Sequence, residues 1–196
     1  MSATSIYGEH REAMEDVLAY VLQKLYGYRE SIKTETGIDP VDHVLSRIKT
    51  EESMREKCRL HGLPETEETA LEVIHDAIGL RVVCPFLNDV YDMAARIEAD
   101  PDLPIDEKRD YILQAKENGY RSLHLIVKVG RYYVEIQLRT VSQDTWAALE
   151  HQIKYKKSVR NPALMVRELK RCADELASTD MSMQTIRDMI REESDD

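Results

Sequence analysis

The chain has 196 residues, of which 42% are hydrophobic, so it is long enough to bury the core of a single domain. Its formal net charge of −10 disfavours a protein that binds duplex nucleic acid. No apolar run is long enough to span a membrane and no signal-peptide pattern is present, so we expect no membrane association. The three cysteines, Cys58, Cys84 and Cys172, match neither a metal-binding spacing nor a disulfide framework, which favours the reducing cytoplasm.

Basic residues are unevenly distributed along this acidic chain. Arginine and lysine gather in three segments, 47–59, 108–131 and 154–171. An acidic protein repels a long polyanion, but a local basic cluster can still hold a short one. The distribution therefore favours a small polyanionic ligand.

Helical patterns occupy both ends of the chain. Residues 9–28 carry apolar side chains at helical spacing, and the stretch TGIDP ends that helix. Thr50 is placed to cap a second helix that ends at Gly62. Arg47 and Lys49, just ahead of it, share a face only if the chain is extended there. Pro162 begins a long last helix that we expect to reach about residue 192.

The middle of the chain mixes short elements. Apolar spacing predicts helices over about 66–77, 88–99 and 141–156, and GLRVVC reads as a short strand. The stretch PDLPIDEKRDYI is predicted to be a polar connection with a short helical piece. We expect one domain over residues 1–196, with its core at about 40–157.

A β-hairpin is the most informative local prediction. The strands LHLIVKV (123–129) and YYVEIQLR (132–139) meet across Gly130-Arg131, so the numbers of facing residues sum to 261. Both strands then agree on one apolar face, as register requires. The other face carries four polar side chains: His124, Glu135, Gln137 and Arg139. It is either a solvated outer face or a site.

The last helix has an apolar seam. Its members follow spacings of three and four: Leu169, Cys172, Leu176, Thr179, Met183, Ile186 and Ile190. Such a seam forms either a contact within the domain or an interface between subunits. We therefore expect the chain to form a homo-oligomer through this helix.

The candidate chemistry is phosphoryl or pyrophosphoryl transfer. The sequence has no Walker A loop, G-x-G-x-x-G or G-x-S-x-G motif, and the pair His75-Asp76 lacks the partners of an HD-type metal site. Transfer of a phosphoryl group needs cations on phosphate oxygens, carboxylates that hold Mg²⁺, and a base. A phosphate grip is available from Arg47, Lys49, Ser53, Lys57 and Arg59, with Asp76 and Glu135 as the acids and Tyr120 as a stacking ring.

Four ordered motifs carry a resemblance to a known family. RIKTEESMREK fits R-x-K-x-x-x-S-x-x-x-K, DAIGLRVVC fits D-x-x-G-x-R, and KENGYRSLH fits K-x-N-G-Y-x-S-x-H. VEIQLRT followed by WAALEH completes the set. Over about residues 40–157 the chain resembles the synthetase domain of RelA/SpoT homologues, in particular small alarmone synthetases of the RelQ type.

The resemblance implies a fold and an activity. The fold would be α/β (α+β), a mixed sheet flanked by helices in a nucleotidyltransferase-like arrangement, with N- and C-terminal helical extensions. Such transferases, GTP pyrophosphokinases of the stringent response, move the β,γ-pyrophosphate of ATP to the ribose 3′-hydroxyl of GDP or GTP. The products are ppGpp or pppGpp and AMP, and some members also accept GMP.

The resemblance also implies a role for each site residue. The ATP-binding residues would be Arg47, Lys49, Ser53, Lys57, Arg59, Arg81 and Arg109, with Arg47 and Arg81 on either side of the adenine. Asp76 and Glu135 would coordinate the Mg²⁺ cofactor, and Glu135 would take the proton from the 3′-hydroxyl. Tyr120 would stack on guanine, and Lys116, Asn118, His124 and Gln137 would hold the rest of the acceptor nucleotide.

Departures from the family pattern bear on regulation. Glu117 stands where the loop often has proline, which is expected to loosen the loop and to alter the choice among acceptors. Some RelQ-type enzymes form tetramers with a central pppGpp site that uses an aromatic residue ahead of R-x-K. Here that position is His43, so activation by pppGpp is not expected to carry over. The hydrolase domain of long family members is absent from this sequence.

Two alternatives to a guanine acceptor stay open. One is a related pyrophosphokinase that acts on adenosine nucleotides or tRNA, because a tyrosine ring stacks on any purine. The other is a nucleotide sensor or RNA-binding module without catalysis. Single-stranded RNA and an alarmone are candidate effectors in either case.

Overall fold

The computed structural model describes residues 5–155 and 161–194, without the side chains of residues 154, 155 and 194. The helices are α1 (Arg11–Thr36), α2 (Glu51–Leu60), α3 (Leu87–Ala99), α4 (Val141–Tyr155) and α5 (Pro162–Ser194). The strands are β1 (His43–Ile48), β2 (Ile78–Cys84), β3 (Ile105–Asp110), β4 (Leu123–Val129) and β5 (Tyr132–Thr140). The predicted ends of the core at 157 and of the fourth helix at 156, and part of the basic segment 154–171, lie outside the described residues.

The five strands form one mixed sheet in the order β1-β2-β5-β4-β3. Strand β2 runs parallel to β5, and every other neighbouring pair is antiparallel. The α/β (α+β) class, with a mixed sheet flanked by helices, is confirmed.

One face of the sheet is apolar and forms the core. Paired positions on this face, such as Leu80 with Ile136 and Val82 with Leu138, are buried in one cluster with side chains of α1 and α3. Because side chains alternate along a strand, the neighbouring positions of β2 and β5 point to the opposite face. The residues with functional chemistry lie on that second face.

The predicted hairpin is confirmed. His124 pairs with Gln137, Ile126 with Glu135 and Leu123 with Leu138, and each pair of numbers sums to 261 as predicted. Gly130 at the turn has a φ of 59°, a left-handed conformation that glycine adopts without strain. The polar face is not a solvated surface, since His124 and Arg139 are buried.

Two helices begin at or next to their predicted start, whereas the first helix is longer than predicted. Thr50 caps α2 by accepting a hydrogen bond from the Ser53 main chain, and α3 begins one residue ahead of the predicted start. The first helix runs to Thr36 rather than to residue 28, because Gly37, with a φ of 73°, is the first position that ends it.

Two local predictions need correction. The segment predicted as a helix at 66–77 is helical only over 67–73, mostly as the π-helical turn Thr69–Val73, because Ala77 already accepts a hydrogen bond from Lys49 next to β1. The segment predicted as a polar connection with a helical piece contains the edge strand β3. Its charged side chains, IDEKRD, tolerate an edge because one side of the strand faces solvent.

The C-terminal helix α5 is divided between two environments. Leu169, Cys172 and Leu176 of the predicted seam are partly buried within the chain, whereas Met183, Ile186 and Ile190 are exposed. Buried polar contacts hold its second half, where Asp180 accepts from Thr140 Oγ1 at 2.6 Å and Arg187 lies 2.6 Å from Asp89. The predicted start of this helix, Pro162, is confirmed.

A first prediction concerns the junction between α1 and β1. Arg29 donates two hydrogen bonds of 2.7 Å to the Asp39 carboxylate, and this pairing lowers the pKa of Asp39 from 3.8 to about 2. A depressed pKa stabilises the fold above the unfolded value and loses that effect as the pH falls through the folded value. Asp39→Asn is therefore expected to lower the melting temperature at neutral pH by about 2–4 °C. Thermal unfolding should show this difference shrinking below pH 3.8 and vanishing below about 2.

Glu15→Gln serves as the control, because Glu15 makes an exposed pair with Arg11 on the same helix. Such a pair contributes little, so no resolvable change is expected at any pH. A melting difference for Asp39→Asn that persists at acidic pH would contradict the assignment.

Candidate active site

Four strands bring the site residues together on the second face of the sheet. Register pairs Arg47 with Gly79 and Gly79 with Glu135, so the missing side chain at Gly79 leaves space between them. Two residues further along β2 and β5, Arg81 pairs with Gln137, and Gln137 also pairs with His124 on β4. Residues paired in register project to the same face. The motifs that are separated in the sequence therefore meet across β1, β2, β5 and β4.

Asp76 lies two residues ahead of β2 and is held by two lysines. Its Oδ2 atom accepts from Lys49 Nζ at 2.7 Å and from Lys57 Nζ at 2.6 Å. Burial raises the pKa of Asp76, but the two lysines outweigh it, so the pKa lies below its ordinary value. The carboxylate is therefore ionised at neutral pH between two cations.

Five side chains, one of which is Glu135, form a closed ring of hydrogen bonds. Arg139 Nη2 donates to the Tyr120 hydroxyl and to Gln137 Oε1, both at 2.6 Å. Gln137 Nε2 donates to Glu135 Oε2 at 2.7 Å, and His124 Nδ1 lies 3.2 Å from Glu135 Oε1. The Tyr120 hydroxyl lies 2.8 Å from His124 Nε2, which closes the ring. With His124 Nδ1 as the donor to Glu135 and His124 Nε2 as the acceptor from Tyr120, every hydrogen bond of the ring has one donor and one acceptor.

The ring keeps Glu135 ionised. Burial raises the pKa of Glu135, but the contacts with His124 and Gln137 lower it by a larger amount. The pKa of Glu135 therefore lies below its ordinary value. Asp76 opposes this effect as a nearby negative charge. Two ionised carboxylates therefore lie near each other, which is an arrangement that attracts a cation.

Three adjoining cavities lie at the site, and both carboxylates line two of them. The first, of about 180 Å³, lies between Arg47 and Arg81. The second, of about 360 Å³, is lined by Lys57 and Arg109 among others, and Asp76 and Glu135 line both. The third, of about 500 Å³, shares Arg47, Arg81 and Gln137 with the first and extends from Tyr120 to α4. The connected space can accommodate two nucleotides side by side.

The loop before β4 is fixed by its own hydrogen bonds and by α5. Asn118 Oδ1 accepts from the Tyr120 main chain at 3.1 Å, and Asn118 Nδ2 donates to Glu150 Oε1 at 3.2 Å. Gly119 has a φ of 93°, and a Cβ there would lie 2.5 Å from Ala173, so glycine is required. Lys116 Nζ lies 5.0 Å from the centre of the Tyr120 ring. The same ammonium group lies 4.4 Å from the centre of the Tyr111 ring, so Lys116 contacts both tyrosines.

Some predicted site residues point elsewhere. The Arg59 guanidinium bonds to Glu65 at 2.7 Å and is largely exposed, and the Arg109 guanidinium bonds to Glu107 at 2.5 Å. The Ser53 hydroxyl accepts from Thr50 Oγ1 at 2.9 Å within the helix cap. Of these three, only Arg109 is among the residues that line the three described cavities. Their predicted roles as phosphate ligands stay predictions.

The sequence assigned no role to Arg139 or Asp144, although both lie at the centre of the site. Arg139 completes the ring, and its alternation with Glu135 and Gln137 on one strand was the available signal. Asp144 lies near both Arg139 and Arg81. Only its position in the first turn of the helix after Arg139 marked it.

The pair His75-Asp76 does not form an HD-type metal site. His75 stacks on Tyr133, with ring centres 3.8 Å apart and planes at 13°. Within the described part of the chain, no group of three or more histidine, cysteine or acidic side chains could hold a metal ion.

The acids nevertheless fit a magnesium ion that is shared with a substrate. Asp76 Oδ1 is buried and has no hydrogen-bond partner among the described residues, so it is a free oxygen ligand next to Glu135. Magnesium is usually held by one or two carboxylates, with phosphate oxygens and water as the other ligands. Two acids beside a phosphate-sized cavity are compatible with that donor set.

The sequence of the chain matches a known family. The family described as "Region found in RelA / SpoT proteins" matches residues 46–160, which is more than half of the chain. This chain belongs to the RelA/SpoT family. The matched residues include Arg47, Asp76 and Glu135, so the match covers the site as well as the sheet.

Two relatives within the RelA/SpoT family are similar to this chain over most of their length. The chain is 39% identical to the GTP pyrophosphokinase YwaC of Bacillus subtilis over 146 residues, or 70% of each chain. It is 32% identical to the GTP pyrophosphokinase YjbM of Bacillus subtilis over 191 residues, which covers 93% of this chain and 87% of YjbM.

A solved RelA/SpoT-family structure has the same fold. The crystal structure of small alarmone synthetase 1 from Bacillus subtilis, bound to its product pppGpp, superposes with a TM-score of 0.77 at 32% identity. The match covers 93% of this chain and 94% of that one. In residues 5–155 and 161–194 we find no helix with the length and apolar character needed to cross a membrane.

Proposed function

We propose that the protein is a GTP pyrophosphokinase. It transfers the β,γ-pyrophosphate of ATP to the ribose 3′-hydroxyl of GDP or GTP, and of GMP as a further acceptor, to make ppGpp, pppGpp or pGpp with release of AMP. The observation that carries the proposal is the ionised, partly buried Glu135 beside Asp76 within a cavity walled by cations. The GTP pyrophosphokinase relatives YwaC and YjbM support the same reaction.

ATP would occupy the side of the site formed by β1 and β2. Arg47 and Arg81 flank the first cavity, where two planar guanidinium groups can stack on the adenine. Lys49 and Lys57 lie at the inner end, where they can turn from Asp76 to phosphate oxygens. Arg109 lies further along the second cavity, and Ser53 and Arg59 are proposed to join the phosphate grip when the nucleotide binds.

The acceptor would occupy the side formed by the Tyr120 loop. Its guanine would stack on Tyr120 after Lys116 has moved from the ring to the acceptor phosphates. Asn118, His124 and Gln137 surround that position and would fix the ribose and the base. The 3′-hydroxyl then points towards Glu135.

Glu135 would act as the general base. Its carboxylate takes the proton of the 3′-hydroxyl while the oxygen attacks the β-phosphorus of ATP. The bond between that phosphorus and the α-phosphate oxygen breaks, and AMP leaves. Gln137 and His124 hold the carboxylate from one side, which leaves its other side for the substrate.

Asp76 and Glu135 are the residues that would hold Mg²⁺. When bound, the ion would neutralise the negative charge of the phosphates during transfer. The free Oδ1 atom of Asp76 supports this role, because a buried carboxylate oxygen without a partner is costly unless a ligand satisfies it.

A transfer assay tests the proposal. The purified protein is incubated with Mg²⁺ and γ-labelled ATP, separately with GMP, GDP, GTP, ADP and a tRNA mixture. Label in a guanine nucleotide, with release of AMP, is expected. Label in ADP or tRNA would show the same reaction with an adenosine nucleotide or tRNA as the acceptor in place of a guanine nucleotide. Nucleotide binding without any transfer would favour a nucleotide sensor or an RNA-binding module.

The exposed half of α5 supports a homo-oligomer, which we propose to be a tetramer. Met183, Ile186 and Ile190 are all about half exposed and lie on one stripe of the helix. Ile186→Glu is expected to shift the mass measured by light scattering to that of the monomer, because a charge would be buried at the contact.

Thr185→Glu is the matched control, since Thr185 is exposed on α5 outside the apolar stripe. It should leave the mass unchanged. If Ile186→Glu also keeps the wild-type mass, this stripe is not the contact. Leu176 is unsuited to the test because it packs within the chain.

The location and effectors are also proposed. Cys58 and Cys84 are free and buried, which supports a cytoplasmic protein. An alarmone or a single-stranded RNA is proposed as an effector.

A further inference from the structure

A single carboxylate contacts two arginines that belong to different parts of the site. Asp144 Oδ1 accepts a hydrogen bond from Arg139 Nη1 at 3.2 Å and lies 3.1 Å from Arg81 Nη1. The side chain of Asp144 is 18% exposed and that of Arg139 is 4% exposed. Water therefore screens these contacts only in part, and the carboxylate holds both guanidinium groups.

The two arginines belong to the proposed sites of different bases, Arg81 to that of the ATP base and Arg139 to that of the acceptor base. Arg81 lines the first cavity together with Arg47. Arg139 donates to the Tyr120 hydroxyl at 2.6 Å, and its guanidinium carbon lies 5.2 Å from the centre of the Tyr120 ring. One oxygen of Asp144 thus connects the stacking group for the donor base with the stacking group for the acceptor base.

The charges at this position make the carboxylate necessary for the arrangement. Arg47, Arg81 and Arg139 all line the third cavity. Burial lowers the pKa of Arg81, and Arg139 lowers it further, whereas Asp144 raises it. Without Asp144, the positive charges of Arg81 and Arg139 would repel each other, and among the described residues no other acid pairs with Arg81.

We propose that Asp144 is a positioning residue that couples the two nucleotide sites. When ATP orders Arg81, Asp144 orders Arg139 and Tyr120 for the acceptor base, and the acceptor has the reciprocal effect on ATP. The inference rests on the proposed function, which assigns the donor base to Arg81 and the acceptor base to Tyr120. Because coupling between sites is reciprocal, both affinities must change by the same factor.

The test measures affinity rather than turnover. Calorimetry gives the Kd of α,β-methylene ATP with Mg²⁺, alone and with saturating GDP, and the Kd of GDP in the reverse experiment. In the wild type, each nucleotide is expected to tighten the other by about fivefold or more. In Asp144→Asn, which keeps the shape but loses the charge, each nucleotide still binds alone and the ratio falls close to one.

Glu168→Gln is the matched control. Glu168 also lies near two cations, Arg171 at 2.9 Å and Arg167 at 4.0 Å, but on α5 and outside the three described cavities. It should keep the full coupling ratio, which excludes a general effect of removing a bridging acid.

Two results would overturn the inference: a wild-type protein without coupling, or an Asp144→Asn variant with the wild-type ratio. The proposed function is judged separately by the transfer of label. If the two nucleotides bind with coupling but no label is transferred, the proposed reaction is wrong and the coupling stands. If label is transferred but binding shows no coupling, the proposed reaction stands and the coupling is wrong.

Discussion

Glu135→Gln is expected to lower the rate of pyrophosphoryl transfer by about 10²–10⁴-fold, the usual contribution of a general base. Glutamine has the size of glutamate, but it carries no negative charge to accept the proton of the 3′-hydroxyl. The ring of hydrogen bonds is also disturbed, because His124 and Gln137 both donate to the carboxylate and an amide has one acceptor oxygen. Single-turnover transfer of label from ATP to GDP measures the loss.

Nucleotide affinity and melting temperature separate a lost base from a lost fold. Each nucleotide is still expected to bind, and the melting temperature is expected to fall by only a few degrees, because the ring is disturbed but no side-chain volume is removed. Glu98→Gln is the control, since Glu98 is a surface acid that pairs with Lys108 at 2.7 Å. A Glu135→Gln variant that keeps more than a small fraction of the transfer rate would remove Glu135 as the base.

Asp76→Asn is expected to lower transfer by about 10³-fold, because a metal ion contributes several kcal/mol to such transition states and each 1.4 kcal/mol is a factor of ten. The initial rate should no longer saturate at the Mg²⁺ concentration that saturates the wild type. A titration of the rate with Mg²⁺ measures this change.

The lysines give the same variant a second, opposite effect. Lys49 and Lys57 both donate to Asp76 Oδ2, so the loss of the charge releases two ammonium groups towards the phosphates. ATP without Mg²⁺ is therefore expected to bind the variant at least as tightly as the wild type, as measured by calorimetry. Weaker binding in the absence of Mg²⁺ would show that Asp76 mainly organises the lysines.

Asp106→Asn is the matched control for Asp76→Asn. The Asp106 carboxylate lies 3.6 Å from His75, the neighbour of Asp76, and it does not line the three described cavities. The rate, the Mg²⁺ dependence and the affinity for ATP should all stay at wild-type values. A change in any of them would point to a general effect of charge in this region.

Sequence patterns predicted the elements whose interactions are local. The hairpin of β4 and β5 has the predicted register, because a two-residue turn and two alternating strands leave one pairing that buries the apolar face. The cap at Thr50 and the start of α5 at Pro162 were also predicted, since each depends on one residue and its neighbours. The four motifs indicated the family that the comparisons then showed.

Other elements could not be predicted because distant residues decide them. Strand β3 has no apolar alternation, and only its pairing with β4 makes it a strand. The segment 66–77 has the spacing of a helix, but pairing beside β1 extends its end. In α5, one regular seam is divided because its first half is partly buried against other parts of the chain, whereas Met183, Ile186 and Ile190 are exposed.

The site shows the same division. The sequence by itself predicted the candidate site residues: the carboxylates of Asp76 and Glu135, the cations around them and the ring of Tyr120. The tertiary structure decided which of them meet, through the parallel pairing of β2 with β5, the two lysines on Asp76, the ring closed by Arg139 and the contact of Asp144 with Arg81. The physical reason is that turns, caps and alternation act over a few residues, whereas the order of strands follows from burying the apolar face of the whole sheet.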